Sequence, residues 1–484
     1  MRALRLVSIF LAIFGFAAAN EATRPNLIFL LTDDQRWDAV GYAGNSAMKT
    51  PEIDRLAAEG VVFEKAFVVS SVCAVSRASI LLSRYPRSSG IEDFNTPISE
   101  DQWPTTYPEV LRNSGYHTGF IGKWGVGALS PKKIEEPASH FDFWSGFPGQ
   151  GHFFHDASCD WAASKGPRCT CPPVGEQEPW QRSFGADGLE NPVHLSTEII
   201  PEHVDRFLEG RDESKPFCLS ISFKAPHAPW QDWDPELRNS YNNIELPIAD
   251  SVDALPPEFM QEHLNFTQGQ QLLTSAKRRD EWLRHYYRLV TGVDVALGKI
   301  RESLQNHDLN SSTVIVFTSD NGMFFGEHGF TGKWLMYEES IRVPMVIFDP
   351  RSPAEDRGKR VSSMVLNLDV APTLLEFAGA PIPDSMQGLS LLPLLRDPDS
   401  KLRDDWFYEH HFTLPAPMQI TRSEGVRTDS WKYIRYIDQD PPFEELFDLE
   451  RDPLELNNLA QTEPARQQLL DLRARWQEAT EQLK

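Results

Sequence analysis

Two pairs of neighbouring polar side chains could together hold a metal ion. Asp33 is followed by Asp34, and Asp320 is followed by Asn321. Adjacent carboxylates repel one another unless a cation or protons lie between them. Either pair alone would more often cap a helix or face solvent. The two pairs together predict a divalent-cation site, and an all-oxygen ligand set favours Ca²⁺ or Mg²⁺ over zinc.

Three basic side chains could bind an anion near that cation. Lys123 and Lys333 each follow a glycine and precede a tryptophan, which is unlike the setting of a lysine on a solvated surface. A buried lysine needs a nearby anion. His227 ends the run from Lys224, and a lone histidine is more often structural than functional. The three side chains become a candidate anion site only if the fold brings them together.

The elements that must position these residues are visible as apolar runs. Five runs predict strands buried on both faces of a parallel sheet: Asn26–Leu31, His117–Ile121, Phe217–Phe223, Thr313–Thr318 and Val343–Phe348. Helix-like stretches lie between them: Pro51–Glu59, Thr197–Leu208, Glu281–Leu304 and Val370–Ala378. Alternating strands and helices indicate an α/β fold with a mainly parallel sheet over residues 20–386.

The pattern changes in residues 387–484. Short β-like runs such as Trp431–Tyr436 precede a helical stretch from Glu463 to Leu483. We therefore expect a smaller α+β C-terminal subdomain with a short antiparallel sheet.

The candidate site residues fall where the predicted strands end. Open α/β sheets bind ligands beyond the carboxyl ends of their strands. The first strand leads into Asp33 and the fourth into Asp320, while the second ends at Lys123 and the third leads to His227. The sequence therefore predicts that the acidic and basic groups share one edge of the sheet.

Residues 1–19 have the pattern of a secretory signal peptide. Two arginines precede an apolar stretch that ends in three alanines. We expect an exported chain, periplasmic or secreted. No later segment reaches the roughly 18 apolar residues of a membrane-spanning helix.

The formal net charge of −23 bears on the partners of the 484-residue chain. Nucleic-acid binding depends on a basic face that releases counterions, so the charge argues against such a partner. It leaves room for a small anionic substrate, because a pocket can be locally positive on an acidic protein.

The chain has five cysteines, an odd number for an exported protein. Thiols tend to pair in oxidising compartments, so Cys73 is either idle, paired between molecules or used chemically. Cys159, Cys169 and Cys171 lie close together and could form a disulfide. A zinc site there is disfavoured because the Cys-x-x-Cys spacing is absent.

The run from Cys73 to Arg77 resembles the Cys-x-Pro-Ser-Arg core of type I sulfatases, in which the cysteine becomes formylglycine; Val75 stands in the proline position. Further ordered stretches extend the resemblance to the alkaline-phosphatase-like superfamily over almost the whole chain: 24–35, 50–60, 122–124, 225–227, 318–322, 332–344, 371–373 and 445–459. The runs 122–127 and 146–151 are similar to those of bacterial carbohydrate sulfatases described as N-acetylglucosamine-6-sulfatase-like.

The resemblance implies a fold and an activity. The fold would be the alkaline-phosphatase-like sandwich, and the activity sulfate ester hydrolysis. A formylglycine-generating maturation enzyme would convert Cys73, and the aldehyde would hydrate to a gem-diol that attacks sulfur. The second hydroxyl of the diol would then lose its proton and expel sulfate.

The same resemblance assigns roles to residues. Asp33, Asp34, Asp320 and Asn321 would hold Ca²⁺, or Mg²⁺, together with the modified Cys73. Arg77 would hold the hydrated formylglycine. Lys123, His227 and Lys333 would bind the sulfate or its bridging oxygen.

Gly125 departs from the family pattern. Many relatives have a histidine there, which is thought to help deprotonate the sulfated intermediate. His328 and His410 are further histidines that we predict to lie in the substrate pocket, without an assigned step.

Several functions remain open at this stage. A sulfated carbohydrate is the leading substrate class, and an arylsulfatase is the near alternative. A phosphomonoester or phosphodiester hydrolase of the same superfamily could use the same metal cage. A non-catalytic binder of sulfated glycans would result if Val75 or Gly125 prevented maturation or turnover.

Overall fold

The computed structural model describes residues 24–127, 135–156, 189, 191–247, 249–272, 275–414 and 419–483. Its strands are, in chain order, β1 (Asn26–Thr32), β2 (Val61–Phe63), β3 (Ala66–Phe67), β4 (His117–Lys123), β5 (Phe143–Phe147), β6 (Phe154–Asp156), β7 (Pro192–His194), β8 (Phe217–Ser222), β9 (Thr313–Ser319), β10 (Phe324–Phe325), β11 (Thr331–Gly332), β12 (Arg342–Val343), β13 (Met345–Phe348), β14 (Lys359–Val361), β15 (Val365–Leu366), β16 (Asp405–His410), β17 (Ser423–Thr428), β18 (Trp431–Tyr436) and β19 (Phe443–Asp448).

The α-helices are α1 (Pro51–Glu59), α2 (Cys73–Leu82), α3 (Pro86–Ser89), α4 (Tyr107–Asn113), α5 (Glu135–Ala138), α6 (Ile200–Gly210), α7 (Leu264–Leu272), α8 (Ala276–Asn306), α9 (Glu338–Ile341), α10 (Val370–Ala378), α11 (Leu392–Arg396) and α12 (Arg466–Gln482). A π-helical turn, Leu195–Ile199, leads into α6 and extends the predicted helix towards its N-terminus.

Eight strands form the central sheet, in the order β14-β2-β13-β9-β1-β8-β4-β5. Within it, β9, β1, β8 and β4 are neighbours and run parallel. Among the described strands of this sheet, only β13 pairs antiparallel with its neighbours. The predicted strand Val343–Phe348 is divided at Pro344, because proline has no N–H to donate to a ladder. The mainly parallel α/β fold is confirmed.

Side chains of β1 alternate between two hydrophobic cores. Leu27, Phe29 and Leu31 pack on the face covered by α2, α4 and α10. Ile28 and Leu30 pack on the opposite face, where α1, α6 and α8 contact one another. Successive strand side chains point to opposite faces, so an unbroken apolar run suits a strand covered on both sides.

The C-terminal residues form a separate antiparallel sheet, β16-β17-β18-β19, as predicted. The stretch before it packs on the larger part of the molecule. There, the Leu391 N–H donates to Thr373 Oγ1 at 2.9 Å, and Arg403 pairs with Asp369 at 2.7 Å. The four-stranded sheet therefore begins well inside the predicted subdomain, at Asp405.

Some predictions fall outside the described residues. These are the signal peptide at 1–19 and any disulfide among Cys159, Cys169 and Cys171. Cys73 and Cys218 are both buried with free thiols. Among the described residues, no helix has the length and apolar character needed to cross a membrane.

Candidate active site

The carboxyl edge of the central sheet brings the two predicted ligand pairs together. The Asp320 N–H donates to Thr32 O at 3.0 Å, which joins the ends of β9 and β1. The Asp34 N–H then donates to Asp320 Oδ1 at 3.1 Å, and Asn321 Nδ2 donates to Asp34 Oδ1 at 2.6 Å. All four ligand candidates are buried, and these bonds join Asp34 to both Asp320 and Asn321.

The ligand candidates have oxygen atoms that suit a cation. Asp33 Oδ1 and Asn321 Oδ1 are buried and accept no hydrogen bond from the described residues. Ligand atoms of Asp33, Asp34 and His227 lie within 4.8 Å of one another. Buried acceptors without donors are costly unless something else satisfies them. The donor set is carboxylate and amide oxygen, which fits Ca²⁺ or Mg²⁺.

The two predicted lysines reach the same carboxylates. Lys123 Nζ pairs with Asp33 and Lys333 Nζ with Asp34. Burial alone would raise the pKa of Asp33, but Lys123, His227 and Arg77 lower it well below its usual range. Burial opposes the charge of Lys333, yet Asp34 raises its pKa above the ordinary lysine value. The edge therefore concentrates buried charges of both signs.

Helix α2 places Cys73 and Arg77 one turn apart. Cys73 is the first residue of α2, at the end where the helix dipole favours negative charge. Arg77 Nε donates to Asp320 Oδ2 at 2.8 Å, and its Nη1 donates to Lys123 O at 2.8 Å. Burial would lower the pKa of Arg77, but Asp320, Asp33 and Cys73 raise it. The thiol of Cys73 thus lies beside the charged cluster.

His227 is partly buried beside the acidic pair, with one ring nitrogen facing Asp34. Its Nδ1 donates to Ala228 O at 2.8 Å, since a carbonyl oxygen can only accept. Its Nε2 lies 3.7 Å from Asp34 Oδ2. Burial lowers the pKa of His227 to about 4, although Asp34 and Asp33 oppose that shift.

The backbone at Gly125 disfavours a side chain at this position. Its φ is +78°, in the left-handed region that favours glycine. A Cβ at this position would lie 2.9 Å from Arg77 Cδ. In this chain the glycine therefore gives the Arg77 side chain its room.

The other two predicted pocket histidines make no bond to the acidic pair among the described residues. The His328 ring packs 4.6 Å from that of Tyr337, and burial lowers its pKa to about 4. His410 ends β16 opposite Ser423, and burial lowers its pKa to about 3. Among the bonds between described residues, none joins either histidine to Asp33 or Asp34. A substrate contact for both stays a prediction.

Three residues at the site were not assigned from the sequence. Arg77 Nη1 donates to Ser222 Oγ at the end of β8. Lys123 Nζ donates to Gln150 Oε1 at 2.6 Å. Lys224 is buried, and burial together with Lys123 lowers its pKa to about 7. Gln150 lies in the motif 146–151, and Lys224 begins the run that ends at His227. These two residues could therefore have been found from their positions within or beside recognised motifs.

The tryptophans expected around a pocket have mixed roles. Trp144 is partly buried and stacks on Phe120 at 4.9 Å at the margin of the core, and Trp230 is buried against Phe325 at 5.0 Å. Trp233 stacks on His285 at 6.0 Å and is half-buried. Trp161 and Trp180 lie outside the described residues.

Two family descriptions match the chain. The one named Sulfatase matches residues 25–380, and the one named N-sulphoglucosamine sulphohydrolase, C-terminal, matches residues 326–482. The chain belongs to the sulfatase family. It is accordingly a sulfuric ester hydrolase, and a phosphoester hydrolase is the less favoured of the alternatives considered.

Curated sulfatases resemble the chain over most of its length. An N-acetylglucosamine-6-O-sulfatase of Bacteroides thetaiotaomicron is 29% identical, with 94% of this chain and 86% of the relative covered. An arylsulfatase of Clostridium perfringens is 30% identical, with 93% of both chains covered. The human N-acetylglucosamine-6-sulfatase is 27% identical over 93% of this chain and 83% of its own length.

Solved structures share the fold. A sulfatase described in complex with its substrate D-glucosamine-2-N,6-O-disulfate has a TM-score of 0.77 and 26% identity, with 95% of this chain and 98% of that chain covered. The phosphonate monoester hydrolase of Agrobacterium radiobacter has a TM-score of 0.73 and 21% identity, with 95% and 96% covered. The alkaline-phosphatase-like sulfatase fold is thereby confirmed.

Proposed function

We propose that this sulfatase hydrolyses a sulfate ester on a carbohydrate, using a formylglycine made from Cys73 and a bound divalent cation, with Ca²⁺ the first choice. The observation that carries the proposal is the carboxyl edge of the sheet. There, unpartnered carboxylate and amide oxygens lie beside Arg77, Lys123 and Lys333.

The cation and the modified cysteine have residues suited to hold them. Asp33, Asp34, Asp320 and Asn321 would bind the cation through their oxygens. The hydrated aldehyde would supply the attacking oxygen, and the cation would supply positive charge that acidifies it and neutralises the sulfate. Arg77, fixed by Asp320 and Ser222, would orient the side chain at position 73 through its guanidinium.

The lysines and His227 would bind the substrate's sulfate group. A sulfate ester is an anion whose oxygens shield the sulfur, so positive groups must neutralise them during attack. Lys123 and Lys333 are buried at 1% and 5% exposure, where a cation acts more strongly than in water. The leaving alcohol would take its proton from Lys333, or from His227 when the Nε2 of that ring is protonated.

The substrate class rests on the relatives. Two of the curated relatives are named for 6-sulfated N-acetylglucosamine, and the solved neighbour holds a disulfated glucosamine. A 6-O-sulfated glucosamine derivative is therefore the first substrate to test, and the arylsulfatase relative makes an aryl sulfate the second. Export through the signal peptide would place the enzyme in the periplasm or the medium, where sulfated saccharides are accessible.

One experiment tests the activity directly. Release of sulfate and phosphate is measured side by side from N-acetylglucosamine-6-sulfate, 4-nitrophenyl sulfate and the matching phosphates, with Ca²⁺ and after its removal by EGTA. We expect Ca²⁺-dependent sulfate release, fastest from the sugar. Dominant phosphate release would overturn the proposal in favour of a phosphoester hydrolase, and saccharide binding without any release would indicate a non-catalytic binder.

Peptide mass spectrometry tests the nucleophile. The peptide that contains Cys73 should show loss of the thiol in active enzyme, and Cys73→Ala should abolish turnover. Cys218→Ala removes the other buried thiol among the described residues and is the matched control. An unmodified Cys73 in fully active enzyme would exclude the formylglycine mechanism.

A further inference from the structure

One turn of the chain holds Lys333 in an unusual conformation. This lysine turn, Gly332–Trp334, has φ values of +84° at Gly332 and +82° at Trp334. Glycine adopts the left-handed region freely, but tryptophan does so only at a cost that surrounding contacts must offset. The position of Lys333 is therefore held by groups outside the turn.

Hydrogen bonds from two distant segments hold two of the three peptide carbonyls of this turn. Asn265 Nδ2 in α7 donates to Lys333 O at 2.5 Å, and Tyr408 Oη in β16 donates to Trp334 O at 2.7 Å. Asn265 and Tyr408 are both fully buried. Buried bonds of this kind are not exchanged with water, so they fix geometry as well as adding stability.

Tyr408 also contacts the segment that carries the nucleophile. Its Oη lies 2.8 Å from Ser71 Oγ, two residues before Cys73. A tyrosine hydroxyl has one proton, and that proton goes to Trp334 O. Ser71 must then donate to Tyr408, which gives one chain of bonds from Ser71 through Tyr408 to Trp334.

We propose that Tyr408 is a positioning residue that fixes Lys333 relative to Cys73. It comes from the C-terminal sheet and touches neither group itself, but it bridges the segments on which both are carried. The inference rests on the proposed function, in which Lys333 binds the sulfate or its bridging oxygen. On this view, the C-terminal sheet completes the active site.

Tyr408→Phe removes the bridge and keeps the ring. Loss of one well-placed hydrogen bond corresponds to about a tenfold effect. We expect kcat for N-acetylglucosamine-6-sulfate to fall about tenfold, with KM changed less than about threefold. A sugar alkoxide is a poor leaving group and needs the Lys333 ammonium at the bridging oxygen, whereas nitrophenolate leaves readily without it. We therefore expect kcat for 4-nitrophenyl sulfate to fall much less.

Tyr433→Phe is the matched control. Tyr433 is another fully buried tyrosine of the same sheet, and its hydroxyl donates to Glu444 at 2.6 Å instead of to the active-site segments. Rates are normalised to the fraction of Cys73 converted, measured by peptide mass spectrometry. Hydrogen exchange is followed in the peptide 332–335, where Tyr408→Phe should speed exchange and Tyr433→Phe should not.

The outcomes separate this inference from the proposed function. If the wild type releases no sulfate from either substrate, the proposed function fails and the inference falls with it. If the wild type is active and the two variants behave alike, the inference alone is wrong. Equal losses on both substrates, without faster exchange at 332–335, would indicate a general structural role and would also overturn it.

Discussion

Among the described residues, two groups of acidic and histidine side chains have the spacing of a metal site, but their hydrogen bonding differs. The edge cluster is Asp33, Asp34 and His227, and the junction cluster is Glu92, Glu409 and His411. In the edge cluster and its neighbour Asn321, buried oxygens lack donors. In the junction cluster, Arg87 donates to Glu409 at 2.5 Å.

The hydrogen bonds of His411 exclude it as a metal ligand in the junction cluster. Its Nδ1 lies 3.0 Å from Glu92 Oε1, and its Nε2 lies 3.0 Å from Glu424 Oε1. Carboxylates accept hydrogen bonds, so both ring nitrogens carry protons and neither has a lone pair for a metal. A metal-ligand site is therefore distinguished from an ion-pair network by acceptor atoms that lack a donor. The number of carboxylates does not make that distinction.

The largest expected difference between the two clusters is in catalysis. Asp320 accepts a hydrogen bond from the Asp34 N–H of the edge cluster. Asp320→Asn keeps the shape of a ligand but removes its charge, and it also disturbs Arg77. We expect kcat/KM for sulfate release to fall about a thousandfold, since metal and electrostatic stabilisation contribute several kcal/mol. Glu92→Gln makes the same change in the junction cluster and should leave kcat/KM within about threefold. Similar losses in both variants would remove the distinction.

Measurement of calcium affinity should show which cluster binds Ca²⁺, independently of catalytic activity. Isothermal titration of the EGTA-treated protein should show one Ca²⁺ per chain. Asp34→Asn should weaken that affinity about a hundredfold, because the site loses one of its charged ligands. His411→Gln should retain the same affinity and stoichiometry. Two bound ions, or a loss of binding in His411→Gln, would contradict the assignment of the junction cluster.

The smallest expected effect is on stability, and it belongs to the junction cluster. Burial would lower the pKa of His411, but hydrogen bonds with Glu424 and Glu92 raise it to about 9. A raised folded pKa adds stability that is complete below the unfolded pKa, about 6.5, and is lost as pH rises through the folded value. Arg87 and Glu409 also face this network.

Urea unfolding at several pH values measures this effect. Between pH 6.5 and 9, the free energy of unfolding of the wild type should fall by on the order of 2 kcal/mol relative to His411→Gln. His307→Gln, in a histidine that lies outside the cluster, should follow the wild type. Parallel curves for wild type and His411→Gln would show that His411 is not held protonated.

The sequence predicted the edge cluster because its residues follow strands. A buried parallel strand is recognised from a local apolar run, and the carboxyl ends of parallel strands lie at the same edge of the sheet. Asp33, Lys123, His227 and Asp320 could therefore be assigned to one edge from local patterns. The C-terminal sheet was predicted for a similar reason, since Trp431–Tyr436 is a strand with the bounds expected.

What the sequence could not show was contact between distant segments. Tyr408 and Asn265 reach the lysine turn from distant chain positions, and no sequence pattern links them to that turn. The room that Gly125 leaves for Arg77 depends on a backbone angle, and the protonation of His411 depends on which carboxylates surround it. Such properties arise only when separate elements pack.

The order β9-β1-β8-β4 has a consequence for how this fold can be rearranged. Carboxylates follow β9 and β1, while His227 and Lys123 come from β8 and β4. Neighbouring strands lie about 4.8 Å apart, so the sheet sets the distance between the carboxylates that would bind the cation and the basic groups that would bind the sulfate. Loops beyond these ends can change length without altering that spacing. A circular permutation that cut the chain within any of the four strands would remove a fixed point of the site, whereas new termini in an exposed loop would preserve it.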